Sequence, residues 1–230
     1  MRIAIDIDGV LRDTFLKIEQ IYQKFFIDEL ELVDEDFKYE IIEPYDTPNY
    51  ENHFKFKNDE EFISFLYEEF AMQIFGHAPS SELSTFYILS DLYQKYKNQV
   101  DFLLISKQVG KTKPATLFFV SKFGCEIDKI VFYNKLTEEK IWEEFDVLVT
   151  ANPDLLSQDK NKTLIKYKRT YNLSLENGHS IEFPGSGRFS PVKYCILCGA
   201  HNLCHPSGIP APPTISSDIF KPACDLQLKK

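Results

Sequence analysis

The chain opens with RIAIDIDGVLRDT at residues 2–14, an apolar run that ends in two acids and a glycine. A short apolar run without polar alternation is typical of a strand that is covered on both faces. Such a strand delivers Asp6 and Asp8 at its carboxyl end, and Gly9 lets the chain turn sharply there. Ligands bind outside the carboxyl ends of parallel strands in open α/β sheets. The segment therefore predicts a functional site at the tip of the first strand.

Further apolar runs, rich in Ile, Val, Leu and Phe, extend this pattern along the chain. They predict strands at Arg2–Ile7, Asp101–Ile105, Lys129–Tyr133, Asp146–Thr150 and Thr163–Tyr167. Helical patterns lie between most of them: Thr14–Leu30, a helix capped by Asn58 or Asp59, a helix opened by Ser80 or Ser81, and a helix with Pro114 in its first turn that stops before Gly124. This alternation predicts right-handed crossovers, a parallel sheet and a three-layer α/β fold.

The spacing of the predicted strands indicates how the chain is organised. Residues 8–100 separate the first strand from the second, which is far more than one crossover helix needs. We therefore expect residues 17–77 to form a helical cap, inserted into an α/β core of residues 1–16 and 78–175. From residue 176 to residue 230 the composition changes to Gly, Pro, Ser and Cys, which predicts an irregular tail.

Composition and charge exclude several classes of protein. The 230 residues include 26 Lys and Arg against 35 Asp and Glu, a net charge of −9, so no general binding of nucleic-acid backbones is expected. No run approaches the roughly 18 apolar residues of a membrane span, and Asp6 comes too early for a signal peptide. Five cysteines, four of them after residue 194, do not suggest a disulfide framework, which favours a reducing, cytoplasmic location. The oligomeric state stays open.

The two acids at the strand tip carry the chemistry that we expect. A first carboxylate can serve as a nucleophile toward phosphorus, and a second, two residues on, can act as general acid and then as base. Two solvated acids before a turn explain many isolated Asp-x-Asp matches. Here, however, the motif follows an apolar strand and continues as DGVLRDT, which favours the functional interpretation. Arg12 is expected either to contact a substrate or to pair with Asp13 or a neighbouring acid.

This motif resembles the opening of the haloacid-dehalogenase-type phosphohydrolases, and DIDGVLRDTF resembles their 5′(3′)-deoxyribonucleotidase branch in particular. The resemblance covers residues 1 to about 172, with the long helical insertion in the place of the family's cap. It implies that Asp6 becomes a phospho-aspartate and that Asp8 protonates the leaving alcohol. It also implies a Mg²⁺ ion on the Asp6 carboxylate and the Asp8 backbone carbonyl. The implied activity is magnesium-dependent hydrolysis of a small phosphomonoester, most naturally a (deoxy)nucleotide.

The second and third motifs of that family have candidates here. Ser106 ends the second predicted strand and would donate a hydrogen bond to a phosphoryl oxygen. The family uses a lysine to offset negative charge around phosphorus. Lys135, just after the third predicted strand, matches that position, and Lys113 and Lys107 are further candidates for phosphate binding. The alternative is that these lysines are simply solvated.

The fourth motif departs from the family pattern. The family places one or two aspartates at the end of the next strand, whereas Thr150 and Ala151 occupy those positions here. Asn152 and Asp154 are close enough in sequence to supply oxygens to Mg²⁺, if necessary through water. Since magnesium relies on carboxylate charge, its binding is expected to be weaker. The alternative is a catalytically silent module of the same fold that binds a phosphorylated ligand or a protein partner.

Aromatic side chains in and next to the expected cap are candidates for stacking on a nucleobase. They are Phe15, His53, Phe54, Phe56 and Phe75. Aromatic residues at helical spacing also form cores, and that alternative stays open.

The tail carries a separate cysteine pattern. Cys195 and Cys198 are followed by Gly199 in a turn that allows two thiolates to face one ion. A structural Zn²⁺ would take its remaining ligands from His201, Cys204, His205 and Cys224. A second Cys-x-x-Cys pair is missing, so free cysteines in an irregular extension are the favoured alternative. With zinc, the tail would be an interaction module attached to an enzyme core.

Overall fold

The computed structural model of the chain describes residues 1–30, 37–158, 161–175 and 179–181. The chain divides into two units, Met1–His179 and Ser180–Lys230, and of the second unit only Ser180 and Ile181 are described. No helix in these ranges has both the length and the hydropathy of a membrane-spanning segment.

Five parallel strands form the sheet of the first unit, in the order β3-β2-β1-β4-β5. The strands are β1 (Arg2–Asp6), β2 (Asp101–Ser106), β3 (Ile130–Phe132), β4 (Val147–Thr150) and β5 (Thr163–Tyr167), and a short strand β6 (His179–Ile181) follows in the chain. Each of the five predicted strands is present, with bounds within one residue of the prediction. The expectation of an α/β fold with a parallel sheet is therefore confirmed.

The central strands are apolar because both of their faces are covered. Ala4 of β1 lies beside Leu103 of β2 and Leu148 of β4 in the register of the sheet, and all three belong to one buried cluster. Ile3 and Ile5, which alternate with Ala4, are also buried. Burying one aliphatic side chain of this size contributes about 1.5–3 kcal/mol. The sheet centre is thus a hydrophobic core that holds the tips of β1, β2 and β4 side by side.

Short helices connect the strands. They are α1 (Thr14–Tyr22), which continues as a π-helix (Gln23–Leu30), α2 (Asp59–Ile63), which continues as a π-helix (Ser64–Glu69), a further π-helix (Met72–Gly76), α3 (Thr85–Tyr96), α4 (Thr112–Lys122), α5 (Glu138–Ile141) and α6 (Pro153–Leu156). Two 3₁₀ turns lie at Tyr50–Asn52 and Thr170–Asn172.

The helix ends show where local polar groups decide the boundary. The Asn58 side chain accepts a hydrogen bond from the Glu61 backbone N–H at 2.9 Å, so the predicted cap of α2 is confirmed. The prediction that Ser80 or Ser81 opens α3 is wrong, since α3 begins at Thr85. The Ser80 hydroxyl donates to the Glu82 carbonyl instead, and hydroxyl bonds of this kind stabilise turns in place of a helix.

The segment between β1 and β2 has an aromatic core of its own. Tyr22 of α1 stacks on Phe26 with ring centroids 5.2 Å apart, and Phe54 and Phe65 pack against the same ring. Ala115 of α4 belongs to this cluster, so the segment is packed against the crossover helix that follows β2. This arrangement explains how so many aromatic residues are accommodated between the first two strands.

The turn after β1 needs a glycine for two separate reasons. Gly9 has a φ of +76°, in the left-handed region that residues with a Cβ rarely adopt. A Cβ at this position would lie 2.6 Å from the Tyr171 hydroxyl oxygen and 3.0 Å from Cβ of Ala151. The Arg169 side chain also donates to the Gly9 carbonyl at 2.8 Å. The turn that carries Asp8 is therefore clamped by the segment after β5.

Replacing Gly9 by alanine should test this clamp. Gly124 has a similar φ of +64° but open space around it, so Gly124→Ala is the matched control. We expect Gly9→Ala to lower the free energy of unfolding in urea by about 1–2 kcal/mol more than the control does, because only Gly9 adds a steric clash. The second change Tyr171→Phe should recover part of the loss. Equal losses for the two alanine variants would contradict the close approach of Tyr171.

Candidate active site

Side chains from three neighbouring strands meet at the carboxyl edge of the sheet. Asp6 ends β1, Ser106 ends β2 and Thr150 ends β4. Asp6 is 3% exposed, and Ser106 and Thr150 are fully buried. The parallel register, which pairs Asp6 with Ile105 and Ile5 with Val149, places these three ends at one level. Residues far apart in sequence thus share one polar site inside an apolar sheet.

Asp8 lies at the centre of a dense hydrogen-bond network. Its Oδ1 accepts from Arg12 Nε at 3.1 Å, from Arg12 Nη2 at 2.7 Å and from the Thr14 hydroxyl at 2.8 Å. Its Oδ2 accepts from the Ser106 hydroxyl at 2.8 Å and from Gln108 Nε2 at 3.0 Å. The carboxylate therefore accepts five hydrogen bonds from four side chains, and its orientation is fixed.

Arg12 is the charged partner of this network. Its side chain is fully buried, and Nη1 donates to the Phe75 carbonyl at 2.6 Å and to the Thr116 hydroxyl at 3.0 Å. The guanidinium carbon lies 5.1 Å from the ring centroids of both Phe75 and Phe119. Of the alternatives that the sequence left open for Arg12, the structure therefore has pairing with a neighbouring acid, Asp8.

The two acids of the motif have opposite electrostatic environments. Burial opposes ionisation of Asp8, but the charge and hydrogen bonds of Arg12, together with Gln108 and Thr14, hold the pKa of Asp8 below its ordinary value. Burial and the charge of Asp8 raise the pKa of Asp6 to about 8. Without a bound cation, Asp8 is thus ionised at neutral pH while Asp6 is mostly protonated.

Thr150 takes the place of the acid that the family pattern would supply. Its hydroxyl donates to Asp6 Oδ2 at 2.7 Å and accepts from the Asn152 backbone N–H at 3.0 Å. The Asn152 side-chain oxygen caps α6 through the Asp154 N–H at 2.9 Å, and Asp154 itself is exposed. Ala151 is buried and adds no polar group. The fourth strand therefore brings a hydroxyl, not a carboxylate, to Asp6.

The donor set around Asp6 fits a magnesium ion that keeps most of its water. Mg²⁺ is commonly held by one or two carboxylates, several waters and substrate phosphate. Asp6 is a buried carboxyl group whose raised pKa marks a place where positive charge would stabilise the ionised form. In the part of the chain that the structure describes, no group of three or more carboxylate, imidazole or thiol side chains is arranged to hold a metal ion.

The three candidate lysines differ in position. Lys107 follows Ser106 and is half-buried, whereas Lys135 and Lys113 are exposed. Lys113 Nζ lies 5.8 Å from the ring centroid of Phe132, the last residue of β3. Among the described residues, Lys107 and Lys135 form no hydrogen bond or ion pair, so both are available to an anion.

Aromatic rings form a wall beside the acids. Phe15 of α1 packs against Tyr50 with centroids 4.8 Å apart and against Tyr171 at 5.5 Å. Burial, and to a lesser extent the charge of Asp8, raises the pKa of both Tyr50 and Tyr67. Both phenols therefore lie close enough to the Asp8 carboxylate to interact with its charge. We use the name aromatic wall for Phe15, Tyr50 and Tyr171.

The other cap aromatics that the sequence offered for stacking are mostly interior. His53, Phe54 and Phe75 are at most 2% exposed, and Phe56 is partly buried against the same aromatic core. Both His53 ring nitrogens lie within hydrogen-bonding distance of backbone carbonyls, Nδ1 with Ile42 and Nε2 with Thr47. Of the five candidates, only Phe15 belongs to the aromatic wall.

Several residues of the site carried no separate sequence signal. Gln108 and Thr14 bind Asp8, and Thr116 and the Phe75 carbonyl hold Arg12. Arg12 had one usable signal, its spacing of four residues after Asp8. Gln108 Oε1 is buried and has no hydrogen-bond partner among the described residues.

The cysteines of the expected zinc site lie outside the described residues. They are Cys195, Cys198, Cys204 and Cys224. The remaining cysteine, Cys125, is a free thiol whose pKa is raised by burial.

No protein-family model matches the chain, and no curated protein sequence matches it significantly.

The raised pKa of Asp6 predicts how stability depends on pH. The folded chain keeps this proton up to about pH 8, while the unfolded chain releases it near the ordinary value of 3.8. Between these values the folded state binds more protons, so the free energy of unfolding should fall as pH rises, by up to about 1.4 kcal/mol per pH unit. Asp6→Asn removes this pH-dependent contribution. The free energy of unfolding of the variant, relative to that of the wild type, should therefore increase from about pH 5 to pH 8.

Urea unfolding across that pH range is the measurement, and Asp91→Asn on the exposed side of α3 is the control. The control should follow the pH dependence of the wild type. If Asp6→Asn and the wild type also changed in parallel, Asp6 would not hold a proton in the fold.

Proposed function

We propose that the chain is a phosphomonoester hydrolase of the haloacid-dehalogenase type that forms a phospho-aspartate on Asp6. The observation that carries the proposal is the convergence of Asp6, Asp8 and Ser106 at the carboxyl edge of adjacent parallel strands. Ligands of open α/β sheets bind at this edge. The three-layer arrangement and the cap role of residues 17–77 belong to the same proposal.

The residues of the site have distinct tasks in this reaction. Asp6, once ionised, attacks phosphorus and the bond from phosphorus to the leaving oxygen breaks, while the Ser106 hydroxyl and the nearby Lys107 orient the phosphoryl group. Asp8 lies two residues beyond Asp6 and is held by five hydrogen bonds. In the proposal it passes a proton to the leaving oxygen and then takes a proton from the water that hydrolyses the phospho-aspartate. Lys135 and Lys113 are exposed cations that can attract the anionic substrate.

Magnesium is part of the proposal. Bound Mg²⁺ would supply the positive charge that keeps Asp6 ionised and offsets the phosphoryl oxygens. Asp6 and the Asp8 carbonyl would hold it directly. Asn152 and Asp154 would act through water at most, because the Asn152 oxygen caps α6 and Asp154 is exposed.

The aromatic wall supports a substrate with a flat ring. Phe15, Tyr50 and Tyr171 lie next to the acids and offer apolar faces with polar edges. A small (deoxy)nucleotide provides both a phosphate and such a ring, so nucleoside monophosphates form the first substrate class to test. The cytoplasm, as a reducing compartment with free nucleotides, is the proposed location.

A second function has an observation in its favour. Thr150 replaces a carboxylate beside Asp6, and Arg12 neutralises Asp8 at 2.7 Å. Both features reduce the negative charge available to magnesium. A catalytically silent module that binds a phosphorylated ligand or a protein partner is the alternative that follows.

Turnover should depend on Asp6 above all. With magnesium and a panel of nucleoside monophosphates plus p-nitrophenyl phosphate, we expect Asp6→Asn to lower kcat/KM at least about 1,000-fold, because the nucleophile is lost. Ser106→Ala should lower it about 10- to 100-fold, since one phosphate donor is lost. Asp91→Asn, far from the site in sequence and exposed, is the control.

The same assay separates the two functions. Turnover that survives Asp6→Asn contradicts the phospho-aspartate route. A protein that binds inorganic phosphate but hydrolyses no member of the panel supports the silent module.

Magnesium should stabilise the chain through Asp6. In the presence of inorganic phosphate, Mg²⁺ at a concentration of a few times its Kd should raise the Tm of the wild type by about 2–4 °C. Asp6→Asn should lose this rise because the buried carboxylate that is proposed to bind the ion is gone, and Asp154→Asn should keep it. A rise that is retained in Asp6→Asn, measured by thermal unfolding, would place the ion elsewhere.

A further inference from the structure

Three tyrosine hydroxyls beside the acids of the site are not used by the fold itself. They belong to Tyr50, Tyr67 and Tyr171, which we name the phenol set. These side chains are partly exposed, and within the described ranges none of the three hydroxyls is hydrogen-bonded or buried. By contrast, the hydroxyl of Tyr45 donates to Glu19 at 2.9 Å. The phenol set therefore offers three hydrogen-bonding groups to a ligand.

The phenol set lies around the turn that follows β1. The Tyr171 hydroxyl oxygen is 2.6 Å from the position that a Cβ on Gly9 would take, so it lies against this turn. The ring of Phe15 contacts the ring of Tyr50, with centroids 4.8 Å apart, and that of Tyr171, at 5.5 Å. Tyr67 lies close enough to Tyr50 for the two phenols to interact electrostatically. The set is therefore next to the tip of β1, where the phosphoryl group would bind.

Tyr171 is held in place by its neighbours in the chain. Asn172 is fully buried, and its side-chain amide donates to the Ala151 carbonyl at 2.8 Å and to the Tyr167 carbonyl at 2.9 Å. The Arg169 side chain donates to a carbonyl of the turn after β1 at 2.8 Å. A group that is already fixed loses little freedom when a ligand binds. The Tyr171 hydroxyl is therefore positioned before a substrate arrives.

A nucleotide places its sugar, and not its base, next to the phosphate. In the proposed reaction phosphorus lies beside Asp6, so the first atoms of the leaving group are those of the sugar, and the base lies farther from the turn. Sugar hydroxyls both donate and accept hydrogen bonds, as phenol hydroxyls do. The apolar edge of a sugar can also pack on an aromatic face such as that of Phe15. The phenol set and Phe15 therefore match the part of the substrate that carries several hydroxyls.

We infer that the phenol set is a sugar-binding subsite, so that the chain hydrolyses phosphate esters of sugars with little regard to a base attached to the sugar. The inference rests on the proposed hydrolase function and names the substrate class within it. Free pentose phosphates and nucleoside monophosphates form one class here, because both place a hydroxyl-bearing ring beside the phosphate. Phosphate esters of plain alkyl chains fall outside the class, since they leave the three hydroxyls without partners.

The test is a comparison of matched substrates on the full chain with magnesium. Ribose 5-phosphate and n-pentyl phosphate have equal numbers of carbon atoms, but only the first carries hydroxyls. We expect kcat/KM to be at least about 100-fold higher for ribose 5-phosphate, because a site built to bind a hydroxyl discriminates against an analogue that lacks it. The four common ribonucleoside 5′-monophosphates should lie within about tenfold of one another and of ribose 5-phosphate.

Removal of single hydroxyls tests the residues of the phenol set. Tyr50→Phe, Tyr67→Phe and Tyr171→Phe each delete one hydroxyl and keep the ring. Each should lower kcat/KM about 3- to 10-fold more for ribose 5-phosphate than for p-nitrophenyl phosphate, which has no hydroxyl, since one hydrogen bond to the sugar is lost. Tyr45→Phe is the matched control, because the hydroxyl that it removes is already paired with Glu19. It should change the ratio of the two substrates less than about twofold.

The outcomes are distinct. A preference for ribose 5-phosphate over n-pentyl phosphate below about 100-fold overturns the inference and leaves the hydrolase function standing. A spread among the nucleotides beyond about tenfold does the same, since the base would then be recognised. Variants of the phenol set that lose equally on ribose 5-phosphate and p-nitrophenyl phosphate overturn the assignment of these hydroxyls to the sugar. Absence of turnover on every substrate overturns the hydrolase function and the inference together.

Discussion

The ion pair between Asp8 and Arg12 is the constraint on which the rest of this site depends. Arg12 is fully buried, and Asp8 is its only anionic partner among the described residues, at 2.7 Å. Removing one member of such a pair is destabilising by about 3–5 kcal/mol, because the other charge is left uncompensated. The pair is also built into the turn after β1, since Asp8 and Arg12 are four residues apart. Fold and electrostatics are therefore linked at the point where the site is formed.

This pair also links the turn after β1 to the helical segment between β1 and β2. The same guanidinium donates to the Phe75 carbonyl, at the end of that segment, and to Thr116 of α4. Phe75 belongs to the aromatic cluster of Tyr22 and Phe54, and Ala115 of α4 joins it. One side chain thus connects Asp8 with the aromatic core of the segment between β1 and β2. A change in the packing of that core would therefore alter the position of the guanidinium beside Asp8.

The second acid responds to the same arrangement in the opposite way. Because Arg12 keeps Asp8 charged, Asp6 experiences a neighbouring anion as well as burial, and its pKa rises to about 8. Thr150 stabilises Asp6 with a neutral hydrogen bond at 2.7 Å, where a third carboxylate would have increased the repulsion. The site therefore contains one fixed anion and one carboxyl group that a cation can ionise. This asymmetry is what makes a division of tasks between the two acids physically reasonable.

The sequence by itself determined the local features of this protein. Apolar runs without polar alternation were sufficient to predict the bounds of β1, β2, β4 and β5 to within one residue. The position of Asp6, Asp8 and Gly9 at the end of β1 and just after it follows from chain order alone. The start of α3 was not predicted correctly, because the Ser80 hydroxyl bonds to the Glu82 carbonyl and stabilises a turn instead of a helix.

Only the tertiary structure decided which acid is charged. Ser106 and Gln108 reach Asp8 across 98 and 100 residues, and Thr150 reaches Asp6 across 144. Arg12 donates to Thr116, which is 104 residues away, so the position of its guanidinium beside Asp8 depends on how α4 and the segment between β1 and β2 pack. Local periodicity carries no information on such contacts, because they depend on how strands and helices assemble. The pKa values follow from burial and from these distant neighbours, which exist only in the folded chain.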